Sequence, residues 1–126
     1  MRENPLVSIV GDNDSVGWAV ARVIGAAGFR ILVFPSAEEF IASGQVACTA
    51  CLVVDLHLPG MGGLRLQSHL VASGRHIPVV FIVSRADEKA RARGMELGAV
   101  DVLDRASGDQ ALLKAIQRML KPTDQG

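Results

Sequence analysis

Short apolar runs alternate along the chain with stretches whose apolar residues recur at helical intervals. The first run, Leu6-Val7-Ser8-Ile9-Val10, ends at Gly11-Asp12-Asn13-Asp14. Behind it Val16, Val20, Val23 and Ala27 predict a helix, and Gly28 stops it. Ile31-Leu32-Val33-Phe34 reads as a second strand. Ser36-Ala37-Glu38-Glu39 has the form of a capping box, a hydroxyl N-cap followed three residues later by Glu, and predicts a short helix. Cys51-Leu52-Val53-Val54-Asp55 is a third strand. It lacks alternation, as expected where both faces are covered. Leu58-Pro59-Gly60-Met61-Gly62-Gly63 reads as a loop, and Leu64 to Ala72 as a helix ended by Gly74. Ile77 to Val83 is the fourth strand, Asp87 to Leu97 a helix closed by Gly98, and Val100-Asp101-Val102-Leu103 the fifth strand. Leu112, Ala115, Ile116, Met119 and Leu120 form the apolar stripe of a last helix, which Pro122 ends.

This is a βα unit repeated five times. Alternation of that kind predicts an α/β domain, a doubly wound parallel sheet with helices on both faces. Residues 1–120 read as one domain and 121–126 as the start of a linker or tail. In such a sheet the chemistry lies beyond the C-terminal ends of the strands, where the strand order reverses.

Composition narrows the options. Hydrophobic residues make up 49% of the chain but aromatics only 4%, so the core must be built from Val, Leu, Ile and Ala. Thirteen basic residues balance thirteen acidic ones. That balance argues against direct nucleic acid binding by this domain, because gripping phosphates needs a basic excess. No apolar run approaches the ~20 residues of a membrane span, and the first residues lack the apolar core of a signal peptide. No membrane partner is expected, and the expected location is cytoplasmic. Cys48 and Cys51 stand in a C-x-x-C spacing. A redox pair belongs where a strand runs into a helix, whereas Cys51 opens a strand, so a structural reading is preferred. A zinc site would need two further ligands, and His57, His69 and His76 are not grouped to supply them.

Several charged residues gather at the predicted strand ends. Asp12 and Asp14 follow the first strand, Asp55 ends the third, Ser84 and Arg85 follow the fourth, and Asp104 and Arg105 follow the fifth. A carboxylate aimed from a strand end can attack a phosphoryl donor and hold an acyl phosphate. A divalent cation is then needed to quiet the repulsion between carboxylate and phosphate, and Mg²⁺ binds through one or two carboxylates plus phosphate oxygens and water. Asp12 can supply the second carboxylate, and a basic side chain can neutralise a phosphate oxygen. A lone Asp at a strand end more often caps a turn. The co-location of Asp12, Asp55 and Arg105 favours the chemical reading over that one.

The segments Val7 to Asp14, Leu52 to Leu64 and Gly98 to Asp101 resemble the receiver domains of two-component response regulators, the CheY-like superfamily. The middle segment carries most of the likeness: an apolar strand, an acceptor Asp, then Leu-Pro-Gly-Met-x-Gly-Leu. It is similar to the subgroup fused to LuxR-type DNA-binding domains. The likeness covers Leu6 to about Leu120. It implies a flavodoxin-like sheet of five strands in the order 2-1-3-4-5 with five helices. It implies that Asp55 is the phosphoacceptor and that Asp12 and Asp55 ligate Mg²⁺ together with the backbone carbonyl of His57. A histidine kinase or phosphotransfer protein becomes the expected partner. A DNA-binding output domain is expected C-terminal to the chain, and a homodimer through the face formed by helix four, strand five and helix five. No enzymatic activity is expected beyond self-phosphorylation and self-dephosphorylation at Asp55.

Four departures from the family pattern qualify these expectations. The first of the two acids after strand one is Gly11, so weak Mg²⁺ binding is expected, with Asp14 as a possible extra acid outside the family register. The hydroxyl residue that ends strand four is Val83 by spacing, with Ser84 next to it. The Lys-Pro pair after strand five is Arg105-Ala106; Arg keeps the charge on a longer, planar group. The aromatic switch position is Val102. A degenerate receiver, binding partners without phosphorylation, is therefore a live alternative. A phosphatase of the haloacid-dehalogenase type is a distant one, since Asp12-Asn13-Asp14 mimics its D-x-D signature but no late paired-acid motif follows. Arg85, Lys89, Arg91 and Arg93 read as a basic, solvated helix face, and Trp18 as a partly exposed side chain opposite the apolar stripe.

Overall fold

The computed structural model describes residues 5–11, 18–56, 60–83, 88–104 and 108–120. Within them lie strands β1 (Leu6–Val10), β2 (Arg30–Phe34), β3 (Cys51–Asp55), β4 (Val79–Val83) and β5 (Asp101–Asp104). The helices among these residues are α1 (Trp18–Ala26), α2 (Ala37–Ala42), α3 (Gly63–Ala72), α4 (Glu88–Glu96) and α5 (Asp109–Leu120), with a 3-10 turn at Val46–Cys48. The sheet order is β2-β1-β3-β4-β5, and every pairing is parallel. The expected topology is the observed one.

Alternation along the strands feeds two apolar layers. Val10, Leu52, Val54, Phe81, Val83 and Val102 pack with Phe40, Leu66 and Leu70 on one side of the sheet. Val7, Ile9, Val53, Val80 and Ile82 pack with Ile24, Leu112 and Ile116 on the other. The rings of Phe34 and Phe40 meet edge-on at 5.3 Å, Phe81 is buried in the same layer, Phe29 packs against the other, and most of the remaining core is aliphatic.

Some boundaries move by a residue or two. Strand four begins at Val79, after Ile77 and Pro78, because proline has no N–H for the ladder. The stripe of α1 is Val20, Ala21 and Ile24, whereas Val23 is half-buried and Ala27 exposed. The i, i+1, i+4 face won over the i, i+3 face because Ile24 is the larger side chain to bury. Val16 and the Trp18 side chain lie outside the described residues, as do Asp12, Asp14, His57, Ser84, Arg85 and Arg105 and the tail 121–126. The capping box was legible: Ser36 is the N-cap of α2, and its Oγ accepts the Glu39 N–H at 3.1 Å.

Candidate functional site

The strand order reverses between β1 and β3, so the crevice of this sheet opens where those two strands end. Val10 pairs with Val54, which puts Gly11 level with Asp55. On the other side Asp55 is level with Ile82. Asp55 therefore stands at the rim between two apolar neighbours, half-buried, above the fully buried Val53. The ladder holds beyond it: the Leu56 N–H donates to the Ile82 carbonyl at 3.0 Å, and the Gly11 N–H to the Phe34 carbonyl at 2.9 Å.

Helix α3 begins directly behind Asp55. A Cβ at Gly63 would lie 3.0 Å from the Asp55 carbonyl oxygen and 3.2 Å from Leu56 Cα and Phe81 Cε1. Only a residue without a side chain lets the helix start this close to the strand end. The sequence alone marked Gly63 as loop; its role is a close approach.

At the end of β4, Val83 is buried at 3% exposure and level with Asp104 of β5. Its side chain faces the apolar layer it shares with Phe81 and Val102. Val102 is equally enclosed, at 2%. Helix α4 approaches it through Gly94, where a Cβ would meet Val102 Cγ2 at 2.9 Å and Phe81 Cδ2 at 3.1 Å. Arg91 of α4 donates from Nη1 to the Val102 carbonyl at 2.7 Å and lies 3.6 Å from Asp101 Oδ1. Arg118 of α5 reaches the other oxygen of Asp101 at 3.2 Å. The basic run of α4 is thus not wholly a solvated face, since Arg91 ties the helix to β5. Sequence spacing gave no signal for this, because Arg91 and Asp101 belong to different elements.

The donor set suits Mg²⁺ in kind. Asp55 offers one carboxylate, Gly11 at the end of β1 offers none, and Asp12, next in sequence, lies outside the described residues. Among the described residues alone, no group of three or more His, Cys, Asp or Glu could hold a metal ion. The two cysteines are both free thiols in unlike settings. Cys48 is exposed in the 3-10 turn, whereas Cys51 is fully buried, and burial pushes its thiol up to about 12. A thiol held neutral is a poor nucleophile. Among the described residues no helix is long and apolar enough to cross a membrane.

Comparison with known proteins agrees with this geometry. The profile of the response regulator receiver domain matches residues 7–117. Nodulation protein W of Bradyrhizobium diazoefficiens is 36% identical over 111 residues, covering 88% of this chain and 49% of that protein. The transcriptional regulatory protein FixJ of Azorhizobium caulinodans is 30% identical over 127 residues, covering 100% of this chain and 60% of FixJ. The chain spans about half the length of these curated relatives. Among solved structures, FixJ-N superposes with a TM-score of 0.83 at 29% identity, covering 94% of both chains. The response regulator StyR gives 0.84 at 36% identity, covering 94% of this chain and 60% of StyR.

Proposed function

The chain belongs to the response regulator receiver domain family, the signalling modules of two-component systems, and from that premise we propose that Asp55 is its phosphoacceptor. The observation that carries this reading is the placement of Asp55 at the rim of the crevice between β1 and β3, on a strand whose other residues are buried. Receiver domains bind Mg²⁺ at the phosphorylation site. In this chain Asp12, Asp55 and the backbone carbonyl of His57 would hold the ion, which would lower the charge repulsion during attack. Binding would be weak, because Gly11 offers no second acid and Asp14 stands outside the family register. The Asp55 carboxylate attacks the phosphorus of a phosphohistidine on the kinase or phosphotransfer partner, the P–N bond breaks, and the imidazole leaves. Arg105 takes the place of the family's lysine beside a phosphate oxygen. Ser84 is the nearest hydroxyl in sequence to that group, since Val83 carries none.

The matched stretch covers only 60% of the transcriptional regulatory protein FixJ and 50% of the transcriptional regulatory protein TdiR of Thauera aromatica. We accordingly assign residues 1–120 as the receiver domain and 121–126 as the start of a linker or tail, with a DNA-binding output domain as the proposed C-terminal partner. The face of α4, β5 and α5 is the assigned surface for homodimerisation. The protein containing this domain would act in the cytoplasm, where the kinase domain presents its phosphohistidine.

A second reading has its own support. Val83 and Val102 are both buried aliphatic residues at positions where the family uses a hydroxyl and an aromatic ring. A receiver so altered can serve as a binding module without phosphorylation. One experiment separates the two. Incubation with a small phosphodonor and Mg²⁺, followed by intact mass measurement, should add one phosphoryl group to the protein and none to Asp55→Asn. No added mass at saturating donor would leave the binding module as the function.

A further inference from the structure

The loop that follows Asp55 is held from a distance by helix α2. Glu38 lies in the first turn of that helix, and its Oε2 accepts the backbone N–H of Met61 at 3.0 Å. The two residues are 23 apart in sequence, so this bond joins two separate connections at the same end of the sheet. We propose that Glu38 is a positioning residue for Asp55, acting by fixing the β3–α3 connection that leaves Asp55 and packs back against its carbonyl oxygen at Gly63. The inference rests on the reading of Asp55 as phosphoacceptor.

The geometry supports a tether rather than a passing surface contact. Helix α2 is a rigid post: Ala37 and Phe40 are fully buried, Phe40 packs edge-on against Phe34, and Ser36 caps the first turn. The loop is shaped to receive the carboxylate. Gly60 has φ +72°, and a Cβ there would stand 3.1 Å from Glu38 Oε2 and 3.6 Å from Oε1. Glycine at this position thus serves both the turn and the approach of the acid. The residues that bracket 57–59 are then both fixed. Leu56 is held by the Ile82 carbonyl and Met61 by Glu38, while Gly63 lies against the Asp55 carbonyl oxygen. A metal ligand provided by a backbone carbonyl is only as well placed as its loop, and partners one step removed from the ligands commonly set metal affinity. With Gly11 in place of one acid, the site has fewer charges to rely on, and the placement of the remaining ligands carries more of the affinity.

The test compares Glu38→Ala, Glu38→Gln and the control Glu39→Gln, which removes the same charge one residue along without touching the loop. Mg²⁺ is titrated into each free protein while the Asp55 and Leu56 amide resonances are followed, and thermal midpoints are recorded alongside. Glu38→Ala should weaken Mg²⁺ by about tenfold, the low end of the range for such partners. It should shift the Asp55 and Leu56 amides even without Mg²⁺ and leave the midpoint close to that of the control. Glu38→Gln should recover most of the affinity, because its amide oxygen accepts the same N–H. Two results would overturn the proposal: Glu38→Ala titrating like Glu39→Gln, or Glu38→Gln failing as badly as Glu38→Ala, which would trace the effect to charge alone. If the unmodified protein takes up neither Mg²⁺ nor a phosphoryl group, the Asp55 reading falls by itself. The tether is then judged on the metal-free resonances, and unchanged Asp55 and Leu56 amides in Glu38→Ala overturn it.

Discussion

At the scale of single residues, burial decides chemistry more than identity does. Two cysteines at C-x-x-C spacing could form a reactive pair, but Cys51 is at 0% exposure and its thiol is pushed up to about 12 from an ordinary 9.0. The same shift predicts a pH effect on stability. A thiol whose folded value is raised stays protonated in the native state above pH 9, while the unfolded chain loses the proton. The stabilising contribution is therefore complete below about pH 9 and lost as pH rises toward about 12. Denaturant titrations should show native stability falling across that window by an amount on the order of a few kcal/mol. Cys51→Ala should start from lower stability, having opened a small cavity, and fall less steeply. Equal slopes for the two proteins would mean that Cys51 titrates normally. This burial was legible beforehand, since an unbroken apolar run ending in Asp55 predicts a strand covered on both faces. The roles of Glu38 and Gly63 were not legible. A Glu in a first helical turn and a Gly before a helix each have an ordinary local explanation, and their contacts with Met61 and Asp55 exist only once the chain has folded.

At the scale of elements, β5 shows how this sheet closes one of its two edges. It pairs with β4 alone, so one side of the strand faces away from the ladder. Side chains meet the backbone groups of Val102: its N–H donates to Asp101 Oδ1 at 2.8 Å, and its carbonyl accepts from Arg91 at 2.7 Å. Such capping denies an incoming strand the groups it would pair with. It also docks α4, whose own apolar content is small; Gly94 on Val102 gives close contact but little buried area. Arg91→Ala should expose the Val102 carbonyl and cost about 1 kcal/mol, the Arg91 side chain being half in solvent. Amide exchange should quicken in α4 and β5 and stay unchanged in α1 and β2. Uniform acceleration across the domain would show that the loss is global and that Arg91 does not hold α4 locally. The helices and strands themselves were readable from periodicity and from the glycines that end them. Arg91 was read as one of a row of solvated cations, because a helical pattern shows which face is polar and not which neighbouring strand that face meets.

At the scale of the whole molecule, the question is whether an event at Asp55 can reach the α4–β5–α5 face. In the family pattern a strand-four hydroxyl moves toward the acyl phosphate, and a strand-five aromatic follows into the vacated space. Here the first position is Val83 and the second Val102, both buried in one apolar layer with Phe81, which precedes Val83 on β4 and is level with Val102. Val102 has no ring to swing, and Gly94 already brings α4 to contact distance above it. Arg91 and Arg118 grip Asp101 from the helices on either side of β5. A bound group shifts a conformational equilibrium only through contacts that differ between the two states. The contacts that would differ are absent at Val83 and Val102, and those that remain favour the arrangement observed. Phosphorylation of Asp55 should therefore leave the α4–β5–α5 face nearly unmoved, and partner binding through it should be largely independent of phosphate. The measurement is amide exchange and NMR shifts with and without beryllium fluoride as the phosphoryl mimic. Changes should concentrate around Asp55, Leu56 and the start of α3, with α4 and β5 within the scatter of the untreated protein. Large shifts at Gly94, Val102 and Asp101 would refute this. They would assign the trigger to Ser84 or Arg105, the two polar side chains that follow β4 and β5 in sequence, and Ser84→Ala and Arg105→Ala would then show which of them transmits it.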